Sequence, residues 1–98
     1  MTVQKILDQL EESDTPVAKA LHIGESFKVL VFGFKKGMKL VDNKTHHPTK
    51  LLVMKGDIIY KQNNRDTRMK EFDEVDVPPK IPHSISALDD SLLLFTQG

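Results

Sequence analysis

Apolar residues follow two different spacings along this chain, one near its start and one over the rest. Close to the N-terminus they are spaced i, i+3, i+4, i+7, with polar residues between them, at Val3, Ile6, Leu7 and Leu10. This spacing predicts an amphipathic helix over residues 2–12. The segment 13–16 follows it, and its Ser, Asp, Thr and Pro favour a turn and end the helix.

After residue 16 the chain consists of short apolar runs separated by glycine, proline, asparagine and aspartate. This pattern is typical of strands joined by turns. We predict about nine strands, near residues 17–23, 27–34, 40–41, 50–54, 57–61, 67–72, 74–77, 83–87 and 92–96. Asn63 and Asn64 tolerate positive φ, so they predict a hairpin between two of these strands. So many short strands form either a two-sheet sandwich or a closed barrel, and we favour the barrel.

Two of the predicted strands carry apolar residues on both faces. In 27–34, Val29 and Val31 share one face, whereas Leu30 and Phe32 share the other, and the run 92–95 is similarly apolar. The helix can cover part of the outer face. The remainder predicts a partner subunit, so we expect a homodimer.

Composition narrows the class of protein. A chain of 98 residues has room for one domain. Lysine plus arginine equals aspartate plus glutamate at 14 each, which argues against nucleic acid or an anionic membrane as partner. There is no cysteine, no signal peptide and no apolar run of membrane-spanning length, so we expect a cytoplasmic protein without disulfides.

The histidines are the candidates for chemistry. His22 stands alone in a strand-like run and is interpreted as a surface residue. Alternation along a strand predicts that His47 points into the barrel and His46 away from it, unless Pro48 leaves both in a loop where they could converge. His83 follows a proline-rich stretch that restricts its backbone, which suits either a ligand site or a tight barrel corner.

Two stretches resemble the sequence motifs of cupins, small single-domain bacterial members in particular. Residues 77–94, with the run VPPKIPHSIS, resemble the second cupin motif, in which a proline-bearing turn presents a metal-binding histidine. Gly37 and the segment LLVMKG at 51–56 resemble the frame of the first motif. The resemblance implies an all-β fold, a small double-stranded β-helix barrel of jelly-roll type over residues 15–98, with the helix of residues 1–14 packed on it.

The same resemblance implies a set of site residues. Cupins usually place two histidines and a glutamate in the first motif, and those places hold Asn43, Thr45 and Thr49 here. Only His83 carries over as a ligand. We therefore predict that a ligand-binding face is formed by Asn43, Thr45, His47, Thr49 and His83. A metal, if bound, would use His47, His83 and His46, as a weak site for zinc, iron, nickel or manganese.

Three functions stay open at this point. The first is a cupin that binds a small ligand without robust catalysis. The second is a metal-dependent enzyme, such as an oxygenase or isomerase, built on His47, His83 and His46. The third is a structural dimerisation module, which a barrel interior filled by side chains would favour.

Overall fold

The structure is a computed structural model that describes residues 1–98, and it confirms the predicted element order. The helix α1 spans Thr2–Leu10, two residues shorter than its apolar stripe suggests. Nine strands follow, as predicted. They are β1 Val17–Ile23, β2 Lys28–Phe34, β3 Lys39–Asn43, β4 Thr49–Lys55, β5 Asp57–Gln62, β6 Arg65–Lys70, β7 Glu74–Val77, β8 His83–Ala87 and β9 Ser91–Gln97.

The strands form two antiparallel sheets. The first sheet has five strands in the order β1-β2-β9-β4-β7, and the second has four in the order β3-β8-β5-β6. Their inner faces share one cluster of eleven buried apolar residues that includes Phe34, Leu51, Ile85 and Phe95. Two antiparallel sheets wrapped around one core, with a chain that crosses repeatedly between them, form a jelly-roll barrel.

Side-chain alternation decides which residues of each strand enter the core. In β4 the buried residues are Thr49, Leu51 and Val53, whereas Lys50 and Lys55 are exposed. In β2, Phe34 belongs to the central core, while Val31 belongs to a separate cluster on the outside of the sheet. Both faces of β2 are therefore apolar, as its sequence predicts.

The helix covers the outer apolar cluster. Ile6 and Leu10 are buried against Val31, with other partly buried apolar residues around them. Gly33 makes this close approach possible, since a Cβ on Gly33 would lie 2.5 Å from Ile6 Cγ2. With nine residues, α1 is far too short to span a membrane.

One end of the barrel gathers four connections: residues 24–27, 44–48, 63–64 and 78–82. Here β3 and β5 end and β8 begins, so Asn43 and Gln62 lie on either side of His83 in the sheet. The hairpin between β5 and β6 turns at Asn63 and Asn64, whose φ angles are 50° and 62°, as predicted. We call this end the His83 end.

Candidate functional site

Polar residues form one continuous row across the four-stranded sheet at the His83 end. Asn43 pairs with His83, His83 with Gln62, and Gln62 with Arg65, which takes the row through β3, β8, β5 and β6. Directly paired residues lie on the same face of a sheet, so these four side chains share the inner face. We call Asn43, His83, Gln62 and Arg65 the polar row.

The polar row separates the apolar core from the connections at the His83 end. The next inward-facing row across β8, β5 and β6 consists of Ile85, Tyr60 and Thr67, and Ile85 and Tyr60 are both buried. Chemistry-bearing side chains are therefore concentrated in the last layer of the barrel. The interior beneath the layer is filled by apolar side chains, so a ligand would contact the layer from the open end of the barrel.

His83 is the buried centre of this layer, only 1% exposed. Its ring stacks on Tyr60, with centroids 5.7 Å apart, and lies 6.3 Å from the ring of Phe95. The turn that leads into it includes Lys80 at φ 65°, a conformation that is strained for a residue with a side chain. The local backbone is thus held in the shape that brings the imidazole inside.

Burial sets the charge of His83. Loss of solvent lowers the pKa of the imidazole below its ordinary value, and the backbone carbonyl of Ile81 opposes only part of this effect. The ring is consequently neutral at pH 7, with one nitrogen that donates and one that accepts.

The hydrogen bond from Asn43 indicates which nitrogen carries the proton. Asn43 Nδ2 lies 3.4 Å from His83 Nε2, and because an amide nitrogen only donates, Nε2 is the acceptor. The proton then lies on Nδ1. Nδ1 is buried, and no protein group, the nearby Ile81 carbonyl included, accepts a hydrogen bond from it in good geometry.

Thr45 and Thr49 are buried on the neighbouring strand connection. Thr45 is 4% exposed, and its hydroxyl has no hydrogen-bond partner. Its carbonyl accepts a 2.8 Å bond from Lys80 N, which ties the Thr45 loop to the turn before His83. Thr49 is 5% exposed and donates its hydroxyl proton to His47 O at 2.9 Å.

The predicted inward orientation of His47 is wrong. β4 begins only at Thr49, so His46 and His47 lie in the exposed bend before Pro48, where strand alternation does not apply. His47 lines a shallow outer cleft beside Phe27 and Gln97. The bend does not bring His46 and His47 together with His83, and no three histidine or carboxylate side chains of the chain are grouped closely enough to hold an ion.

The donor atoms in the barrel do not fit a tightly bound transition metal. Apart from His83, the predicted ligand positions inside the barrel offer the amide of Asn43 and the hydroxyls of Thr45 and Thr49, all neutral and weak ligands. Secure sites use three or four strong protein ligands, mostly imidazole, carboxylate or thiolate. One imidazole does not meet that requirement, so these residues do not form a secure metal site.

Three functional residues were missed from the sequence: Gln62 and Arg65 of the polar row, and Tyr60 in the row beneath it. The predicted hairpin could have identified Gln62 and Arg65, because a two-residue turn at 63–64 pairs these two residues. Alternation then places both on the face of the apolar Ile58, which is buried. What the sequence does not show is that this face lies beside His83.

Comparisons with known proteins agree on the fold. No protein-family sequence model and no curated protein sequence matches the chain. Among solved structures, a cupin superfamily protein from Desulfitobacterium hafniense is similar at 16% identity and a TM-score of 0.79, covering 87% of this chain and 78% of that one. An RmlC-like cupin from Desulfovibrio desulfuricans is 24% identical with a TM-score of 0.75, covering 84% and 80%.

A larger enzyme contains the same architecture. Salicylate 1,2-dioxygenase from Pseudoaminobacter salicylatoxidans is similar over 98% of this chain, at 17% identity and a TM-score of 0.87. This chain spans 31% of that protein's length. The molecule is therefore a jelly-roll barrel with a polar layer at one end. More particularly, it has the fold of a small RmlC-like cupin domain.

Proposed function

We propose that this cupin domain binds a small polar ligand at the His83 end of the barrel, without a tightly held metal. The observation that carries the proposal is the pair of buried polar atoms without partners, His83 Nδ1 and Thr45 Oγ1. Buried polar groups nearly always have a hydrogen-bond partner, and each one left without it costs about 1–3 kcal/mol. A ligand with an acceptor for Nδ1–H would supply the missing bond.

A metal-dependent enzyme is the second candidate, favoured by the likeness to a dioxygenase over nearly the whole chain. At 17% identity that likeness concerns the fold, and one fold supports many functions. The donor set around His83 supports binding rather than metal chemistry, since it offers a single imidazole. We therefore place ligand binding first.

Thr45→Val tests the proposal because it separates binding from stability. Valine has the shape of threonine without the hydroxyl, so it removes a buried polar atom that lacks a partner. We expect the ligand-free protein to become more stable by up to about 1 kcal/mol, whereas ligand affinity falls by about tenfold. Stability is measured by urea unfolding, and binding by ligand-observed NMR with a library of small hydroxylated and carbonyl compounds.

Matched variants complete the test. His83→Gln should abolish binding of the same compounds, whereas His22→Gln, on the exposed part of β1, should leave it unchanged. Binding that survives His83→Gln, or a Thr45→Val protein that is both less stable and unaltered in binding, would refute the proposal.

We also propose that two copies of the chain associate through β1. This strand is an edge of the five-stranded sheet, so one side of its backbone has free hydrogen-bonding groups. Apolar side chains are exposed on it and on its turn to β2: Leu21 at 48%, Ile23 at 65% and Phe27 at 47%. An antiparallel edge strand can pair with its own copy across a two-fold axis, which would cover both features.

A further inference from the structure

The barrel has an opening where the two sheets meet at β6 and β7, each an edge strand of its sheet. The opening is a cleft of about 290 Å³ lined by Tyr60, Gln62, Arg65, Thr67, Val75 and Asp76. We call it the seam cleft. Gln62 and Arg65 belong both to this cleft and to the polar row, so the row connects the cleft with His83 across two strand pairings.

Strand pairing shows that the cleft residues of β6 face inward. Tyr60 is buried in the core, and its direct partner on β6 is Thr67. Arg65, two residues earlier, lies on the same face and is paired with Gln62. An arginine therefore lies on the inward-facing side of β6 at the rim, where it lines the cleft and is exposed to solvent.

The polar groups of the cleft are mainly free hydrogen-bond donors. Tyr60 uses its proton in a 2.7 Å bond to Gln62 Oε1, which leaves the Gln62 amide nitrogen available. Arg65 forms no ion pair with any carboxylate of the chain. The one carboxylate at the cleft, Asp76, lies 3.8 Å from Lys50 Nζ, on the side away from Arg65's strand.

We propose that the ligand carries a carboxylate, which Arg65 binds at the seam cleft while the remainder of the molecule extends along Gln62 toward His83. The proposal rests on the proposed function and narrows its ligand class. A guanidinium binds a carboxylate through two parallel hydrogen bonds, and a carboxylate can accept further bonds from the Gln62 amide and Thr67 hydroxyl. Since neighbouring strands are ~4.8 Å apart, Arg65 and His83 lie roughly 10 Å apart at their Cα atoms. A small organic acid with a second oxygen fits that span.

The experiment uses pairs of probes on the full chain. Succinate, glycolate and benzoate are each titrated beside the corresponding neutral amide, with inorganic phosphate as a separate probe, by NMR and calorimetry. The variants are Arg65→Gln and its matched control Lys61→Gln, which removes one positive charge from the opposite face of the same hairpin. Thermal unfolding verifies that both variants fold.

We expect at least one acid to bind at least about tenfold more tightly than its amide, and Arg65→Gln to remove most of that difference. Lys61→Gln should change the affinity by less than about twofold. Equal binding of acid and amide, binding of phosphate alone, or acid binding unaffected by Arg65→Gln would overturn the inference. If only neutral compounds bind, and do so through His83, this inference fails and the proposed function stands; if nothing binds, both fail.

Discussion

At the scale of single residues, the site depends on what burial does to His83. A neutral imidazole stacks on Tyr60, accepts a bond from Asn43 and has no well-formed hydrogen bond at its buried Nδ1. Thr45 and Thr49, also buried, carry hydroxyls rather than charged groups. A ligand bound there, as proposed, would be selected by its hydrogen-bonding pattern, and Arg65 at the rim supplies the one permanent charge of the polar row.

The same burial predicts a pH dependence of stability. The pKa of His83 is lowered in the folded chain, so as the pH falls through its ordinary value near 6.5 the unfolded chain takes up a proton that the folded chain does not. Above that ordinary pKa, protonation of His83 does not affect stability. Below it, the free energy of unfolding decreases until the pH reaches the pKa of His83 in the folded chain. We expect His83→Gln to lose part of the stability decrease between about pH 7 and pH 5, measured by urea unfolding at each pH.

His22→Gln is the control for the loss of a histidine, because His22 is exposed in β1. A His83→Gln curve parallel to that of the unmodified protein between pH 7 and 5 would show that His83 does not titrate differently on folding.

At the scale of elements, α1 packs closely on the barrel because Gly33 of β2 has no side chain. The sequence predicted the apolar stripe of α1 and the apolar outer face of β2 separately. The contact between them depends on Gly33, since Ile6 Cγ2 and Leu10 Cδ1 lie where a Cβ would be, at 2.5 and 2.8 Å from its ideal position. The helix thus covers the outer apolar cluster that first suggested a dimer through β2 and leaves the edge strand β1 as the exposed apolar element.

Gly33→Ala should therefore destabilise the protein by about 1–3 kcal/mol, through displacement of α1 from the sheet. In an Ile6→Ala background the same change should cost at least about 0.5 kcal/mol less, because part of the clash is gone. Urea unfolding of the four proteins of this cycle measures the coupling. Equal costs in both backgrounds would mean that the Gly33 position does not limit helix packing.

At the scale of the whole molecule, the barrel has the cupin fold but not the usual donor set. We expect protein purified without chelators to contain well below one equivalent of transition metal by elemental analysis. The triple variant Asn43→His, Thr45→His, Thr49→Glu should bind close to one equivalent of nickel or zinc together with His83.

The double variant Asn43→His, Thr45→His keeps this comparison usable if glutamate at the buried position 49 prevents folding. Stoichiometric metal in the unmodified protein that is lost on His83→Ala would favour the enzyme instead. Failure of the folded triple variant to bind metal would show that these positions do not converge on His83.

The proposed dimer through β1 is tested by substituting two side chains that are equally exposed in the single chain. Ile23 on β1 and Val41 on β3 are each 65% exposed, and both strands are sheet edges. If copies pair through β1, Ile23→Lys should shift the species seen by sedimentation at micromolar concentration from dimer to monomer. Val41→Lys should not. A monomeric unmodified protein would refute pairing through β1.

The elements of this protein could be predicted from local sequence, and a barrel was favoured by their number and length. One helix, nine strands, the Asn63–Asn64 hairpin and the inward side of β4 all follow from local periodicity and turn chemistry, since these depend on residues close together in the chain. The sequence also identified His83 as the histidine presented by a stiff turn. It could not locate His47, because parity along a strand holds only where the strand exists.

The candidate site, by contrast, is formed by strand pairing over long distances in the sequence. The polar row joins residues 43, 62, 65 and 83, and the pairing of β3 with β8 and of β8 with β5 connects strands far apart in sequence. That pairing is selected by burial of the whole inner face rather than by any local signal. The same long-range packing removes solvent from His83, leaves Nδ1 and the Thr45 hydroxyl without partners, and places Arg65 at the opening between the sheets.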